Sequence, residues 1–186
     1  MRKTTLSILM LSLVAVVMTS CNLFKSEQER KIVGKWYSAA TDVSDTAIVV
    51  DDGITARLTA DEYCTYDADK KVYSNGTLQI TYNLYDEYSI ILKYKISYTG
   101  TWEIKDGRLY EKPTDASVVF AGMELSDPNL YELQQAANAA KQELSPYISE
   151  MKSDLLTPSD SKIVKVDDNE LVLSDEDGPT TYRRLN

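Results

Sequence analysis

The pattern of apolar and polar positions is plainest between residues 78 and 99. Tyr88, Ile90, Leu92, Tyr94, Ile96 and Tyr98 alternate with Ser89, Lys93, Lys95, Ser97 and Thr99, and Ile91 is the one apolar residue on the polar side. Successive side chains of a strand point to opposite faces, so this period of two predicts a half-buried antiparallel strand. Leu78, Ile80, Tyr82 and Leu84 alternate in the same way with Gln79, Thr81 and Asn83, and Tyr85-Asp86-Glu87 supplies a turn between the two runs. Dipeptides that favour left-handed backbone then recur. Asn75-Gly76 stands between Val72-Tyr73 and Thr77-Leu78, and Asp106-Gly107 between Trp102-Glu103-Ile104 and Arg108-Leu109-Tyr110. Asp168-Asn169 and Asp177-Gly178 flank Leu171-Val172-Leu173. Each predicts a tight turn, and hairpin after hairpin without strand–helix alternation predicts a mainly β antiparallel meander or barrel.

One stretch changes period. Leu130, Leu133, Ala137, Ala140, Leu144, Ile148, Met151 and Leu155 recur every three or four residues, with Glu132, Gln135, Lys141, Glu143, Glu150 and Lys152 between them. This predicts an amphipathic helix over about 127–156 whose apolar stripe faces the core. Asp127 is placed to cap its start with Pro128 in the first turn, and Ser145-Pro146 should kink or restart it. Too few basic residues lie beside the stripe for a helix that rests on a membrane surface.

The chain opens on a third pattern: Arg2 and Lys3, an apolar stretch over 6–18, then Thr19 and Ser20. That is the build of a secretory signal, 1–20, removed from the mature protein. The apolar stretch is well short of the roughly 20 residues a spanning helix needs. Met18-Thr19-Ser20-Cys21 resembles the lipobox of bacterial lipoproteins, with Met18 where leucine is usual and Ser20 where glycine or alanine is usual. The resemblance implies acyl chains such as palmitate on the Cys21 thiol. Two or more chains hold stably, each buried methylene contributing about 0.8 kcal/mol. Residues 21–32, rich in Lys, Glu, Gln and Ser, are expected to be a flexible tether, and 33–186 the folded domain.

Composition narrows the chemistry. The whole chain has 20 basic and 29 acidic residues. Residues 1–20 hold two of the basic and none of the acidic ones, so the mature chain has a net charge of −11. Such a surface is well solvated and repels nucleic acid and anionic membranes. Thirteen tyrosines against two phenylalanines suit strand positions where a ring packs and its hydroxyl reaches water. With Cys21 lipidated, Cys64 has no partner for an intramolecular disulfide, and stability must come from packing.

The chain contains no histidine, which removes the usual general base and the commonest metal ligand, and with them Ser-His-Asp and Cys-His catalysis. Cys64, in the apparent strand Glu62-Tyr63-Cys64-Thr65-Tyr66, reads as a small buried filler. Acidic pairs occur at Asp51-Asp52, Asp61-Glu62, Asp67 with Asp69, Asp167-Asp168 and Asp175-Glu176-Asp177. They fall where turns are expected and none has the spacing of a calcium loop, so they read as solvated turn residues. No glycine-rich phosphate loop is present. The residues predict no catalytic centre, no metal site and no cofactor, hence a protein that is not an enzyme.

Three pieces in order carry a family resemblance. They are Gly34-Lys35-Trp36, the echo running from Thr99-Gly100-Thr101-Trp102 to Arg108-Leu109, and Glu170-Leu171-Val172-Leu173 with Thr181-Tyr182-Arg183-Arg184-Leu185. Together they resemble the lipocalin-like lipoproteins of Bacteroidota over most of 33–186. The resemblance implies an antiparallel lipocalin-like (calycin-type) meander barrel. Its end would be closed by Trp36, following Gly34, with Arg183 or Arg184 packed across the ring, a contact worth about 0.5 to 2 kcal/mol. Lipocalins place their helix after the eighth strand. Here it precedes three apparent strands, around 161–167, 170–175 and 180–185, so the resemblance implies an inserted helix.

Acidic Ser26-Glu27-Gln28-Glu29 is similar to the export tag of such lipoproteins, displaced by Asn22-Leu23-Phe24-Lys25, and Asp45-Thr46-Ala47 resembles an O-glycosylation motif of that phylum. The expected location is the cell envelope, lipid-anchored at the outer membrane, with the periplasmic or surface face left open. The expected function is binding of a small apolar or amphipathic ligand in the barrel. The alternative is an envelope protein–protein interaction or inhibitor module without a small-molecule ligand.

Overall fold

Alternating runs build nine strands among the residues described by the computed structural model, which are 26–42, 48–51, 54–84, 87–176 and 178–185. They are β1 (Gly34–Asp42), β2 (Ile48–Asp51), β3 (Ile54–Tyr66), β4 (Lys71–Leu84), β5 (Tyr88–Lys105), β6 (Arg108–Leu125), β7 (Ser159–Val166), β8 (Glu170–Asp175) and β9 (Gly178–Leu185). Helix α1 (Glu27–Ile32) precedes them. Between β6 and β7 lie α2 (Tyr131–Leu144) and α3 (Ile148–Leu155), joined by a single 3₁₀ turn, Ser145–Tyr147, at Pro146. The expected signal, Cys21 and the motif at Asp45-Thr46-Ala47 fall outside the described residues.

Every strand pairs antiparallel with its neighbours in the order β1-β9-β8-β7-β6-β5-β4-β3, and β1 pairs back onto β3. Eight strands thus close in a barrel-like ring, and β2 pairs with the start of β3 outside it. The ring closes at one end only. β6 pairs with β7 over 108–111, and β1 with β9 over 35–37, whereas β4 and β5 run together for their full length. Two cores follow from this shape. Ile32, Trp36, Cys64, Tyr66, Val72, Trp102, Leu109, Ile163, Leu171 and Leu173 fill the closed end. At the other, Ile80, Ile90, Leu92 and Tyr94 pack against Leu133 and Ala137 of α2, with Leu144, Ile148 and Met151 beside them. The helices cover β5 and β6 where β6 continues past its pairing with β7, which answers the exposed apolar face of a long sheet.

Several local expectations change. Asn75-Gly76 makes no turn: it lies within β4, Gly76 opposite Glu62 on one side and Ile96 on the other. A Cβ at Gly76 would collide with the Asp61 carbonyl, so the glycine serves close approach of two strands, and Val72-Tyr73 and Thr77-Leu78 belong to one strand. Asp106-Gly107 does form the β5–β6 turn, both residues at positive φ (53° and 75°). The helix starts at Tyr131, later than expected. Asp127 caps no helix and instead accepts the Asn129 N–H at 2.9 Å in a preceding turn, leaving Leu130 at the helix N-cap. The part of the tether from Glu27 onward is helical. Ser26 and Glu29 form a reciprocal capping box, and burial of Ile32 draws the segment into the fold.

Candidate functional site: a tyrosine and glutamate layer inside the ring

Strand parity decides what the ring encloses. On β3, Ala60, Glu62, Cys64 and Tyr66 share a face; on β6, Glu111 shares one with Leu109. Two carboxylates therefore point inward with the apolar residues. Glu62 Oε1 accepts from Ser74 Oγ at 2.6 Å and from Cys64 Sγ at 3.1 Å, and its Oε2 accepts from the Tyr182 hydroxyl at 2.7 Å. Glu111 Oε1 accepts from Tyr66 at 2.7 Å and Oε2 from Tyr98 at 3.0 Å. These donors come from β3, β4, β5 and β9, so the layer exists only when the ring is closed. Its Cys64 and Tyr66 belong to the closed-end core, and Tyr98 and Tyr182 pack against it.

Burial sets the electrostatics of this layer. Desolvation is the main reason the Glu111 carboxyl titrates above the usual glutamate range; repulsion from Glu62 adds to it, and the bonds from Tyr66 and Tyr98 oppose it. Desolvation also pushes the Tyr66, Tyr98 and Tyr182 hydroxyls well up, followed by the adjacent carboxylates, so all three keep their protons and donate. The Cys64 thiol is raised well above its ordinary value, first by burial and then by Glu62 and Glu111. A thiol held protonated is a poor nucleophile.

Glu62, Tyr98, Glu111 and Tyr182 nevertheless keep some accessible surface, unlike Cys64 and Tyr66, which are 2% exposed. Glu111 also borders a cleft of about 740 Å³ that includes Trp102, Tyr110, Lys70, Glu29 and Asp160. There Lys70 pairs with Glu29 and lies 4.2 Å from the centre of the Trp102 ring. The Trp102 indole N–H donates to the Asp67 carbonyl at 3.2 Å.

The residues expected at the ring's end lie as follows. Trp36 is fully buried, and its indole N–H donates to the Ile32 carbonyl at 2.7 Å. Of the two arginines, Arg184 lies over the Trp36 ring at 4.1 Å and donates to the carbonyls of Val33 and Lys31; Arg183 is exposed opposite Tyr37. Gly34 sits at φ +145°, and a Cβ there would strike the Arg184 guanidinium. Cys64 is on a strand and buried.

The acidic pairs divide. Asp167 caps the β7–β8 turn through the N–H groups of Asn169 and Glu170, which with Lys165 hold its carboxyl down at about 2. Asp67 accepts from the N–H groups of Asp69 and Lys71 in the β3–β4 turn. Asp61-Glu62, by contrast, is mid-strand: Asp61 accepts the Thr77 N–H at 2.6 Å, and Glu62 faces inward. Glu111 drew no attention in the sequence. The available signal was its parity with Leu109 in a strand whose start was recognised.

Among the described residues no group of three His, Cys, Asp or Glu side chains is arranged to hold a metal ion, and no helix is long and apolar enough to cross a membrane. Fold and interior together define a mainly β protein whose eight-stranded antiparallel ring carries an acidic, tyrosine-rich layer. No protein-family model matches the sequence, and no curated protein matches it.

Proposed function

We propose that this is a lipid-anchored protein of the cell envelope, with a lipocalin-like barrel interrupted by a helical insertion, which binds a small amphipathic molecule inside the ring and catalyses no reaction. The observation that carries the reading is the accessible surface left on inward-pointing Glu62, Tyr98, Glu111 and Tyr182. Their neighbours on β3, β4 and β6 are small: Ala60, Ser74 and Ala116 occupy the same stretch of the ring. An interior with apolar ends and a few convergent polar groups suits a ligand with a polar head and an apolar body.

Native mass spectrometry of the detergent-released full protein tests this. A copurified small amphipathic molecule, lost when Tyr98 and Tyr182 are both changed to phenylalanine, is the expected outcome. A bare polypeptide mass that also fails to take up a fluorescent amphipathic dye would sink the reading. It would leave the docking alternative, for which the exposed outer tyrosines Tyr63 and Tyr73 are the favouring observation. The anchor is tested separately. Cys21→Ser should move the protein from the membrane to the soluble fraction, and retention of the variant on membranes would refute lipidation there.

A further inference from the structure

Glu62 and Glu111 point into the ring, and among the described residues neither forms an ion pair. The titratable groups facing them are Cys64 and Tyr66 on β3, Tyr98 on β5 and Tyr182 on β9, all donors without positive charge. On the cleft side, Lys70 is committed to Glu29 and the Trp102 face, while Lys112, Glu103 and Asp160 line the same cleft. A carboxylate drawn away from water is held by a cation or by hydrogen bonds, or gives up its charge; Glu62 accepts three bonds and Glu111 two. Two in one layer that repel one another need this more.

The hydrogen-bond partners permit it. A carboxyl that gains a proton at Glu111 can donate from Oε2 to the Tyr98 hydroxyl, which keeps accessible surface for its own O–H, while Oε1 still accepts from Tyr66. An ammonium in the hydroxyls' place would leave no such freedom.

We propose that Glu111, inward-pointing and met only by neutral tyrosine donors, keeps a proton in the folded protein at a pH where a free glutamate is ionised. The interior layer is then a proton-binding unit, and the ring is a pH-sensitive device. The sign follows from proton counting. Between the ordinary glutamate range and the folded titration, the folded state binds a proton that the unfolded state has released. Stability from this site is therefore present at mildly acidic pH and lost as pH rises; below the ordinary range both states are protonated and it is constant.

Infrared spectra and unfolding curves of the full chain test the proposal in wild type, Glu111→Gln and Glu62→Gln. The folded wild type should show the carbonyl stretch of a protonated carboxyl at a pH above the ordinary glutamate range, absent in E111Q and shifted to lower pH in E62Q, where the repelling charge is gone. Its unfolding constant should rise by up to about tenfold per pH unit above the ordinary carboxylate range, and that slope should vanish in E111Q. Absence of the band in folded wild type, or an unchanged slope in folded E111Q, overturns the proposal. If E111Q does not fold, the wild-type band and its response to E62Q decide.

Discussion

Replacing Trp36 by alanine should lower the free energy of unfolding by roughly 3 to 5 kcal/mol, the range for removing a large buried aromatic side chain. Three losses coincide at this position. The ring fills the closed end of the core with no accessible surface, its N–H satisfies the Ile32 carbonyl, and its face supports the Arg184 guanidinium. Arg184 in turn bonds the carbonyls of Val33 and Lys31, so α1, β1 and β9 meet at one indole. Trp36→Phe separates these contributions, since it keeps an aromatic face for Arg184 but leaves the Ile32 carbonyl unpaired, at a cost of about 1 to 3 kcal/mol. Urea unfolding followed by far-UV circular dichroism measures both. A loss under about 1 kcal/mol for Trp36→Ala would show that the closed end is not held together through this residue.

Ala137→Asp should cost roughly 3 kcal/mol or more, through a different core. Ala137 has no accessible surface and packs with Leu133 against Ile80, Ile90, Leu92 and Tyr94. A carboxylate there would be buried among apolar side chains, with Lys141, one turn on, held over the Phe120 ring, and desolvating it costs several kcal/mol unless the helix lifts away. Undocking predicts a spatial pattern. Amide exchange should quicken in α2, α3 and the halves of β4, β5 and β6 they cover, while the Trp36 end keeps its protection. Asn138→Asp, one residue on and exposed, should change stability by no more than about 0.5 kcal/mol. If exchange quickened equally at both ends, the two cores would be a single cooperative unit.

The apolar stripe that the sequence places on this helix packs on the sheet except for Leu155, and Ala136, outside the stripe, joins it. It was legible because a period of 3.6 over some twenty-five residues is hard to produce in any other element. The same holds for β4 and β5, whose alternation survives in the observed burial of Ile80, Ile90, Leu92 and Tyr94. Local chemistry was a weaker guide. Asn75-Gly76 has the composition of a hairpin turn, yet its glycine answers a close approach between strands that meet only in the folded ring. Asp127 has the composition of an N-cap and forms a turn instead.

The interior layer was the least legible part. A glutamate in a strand is ordinarily a solvent-facing residue, and only register tells whether its neighbours on the same face are buried. Glu62 stood next to Asp61 and read as half of an exposed pair, though pleating sends the two to opposite sides of the sheet. Its partners Ser74 and Tyr182 lie 12 and 120 residues away. Periodicity, turn dipeptides and composition by themselves determined that the chain is mainly β, antiparallel and joined by hairpins, with one amphipathic helical stretch before the last three strands, because those signals are local. Closure of eight strands through β1 and β3, the division into two cores and the gathering of Glu62, Glu111 and their tyrosines were decided only by tertiary structure, because each depends on pairings between residues far apart in the chain whose burial no local pattern encodes.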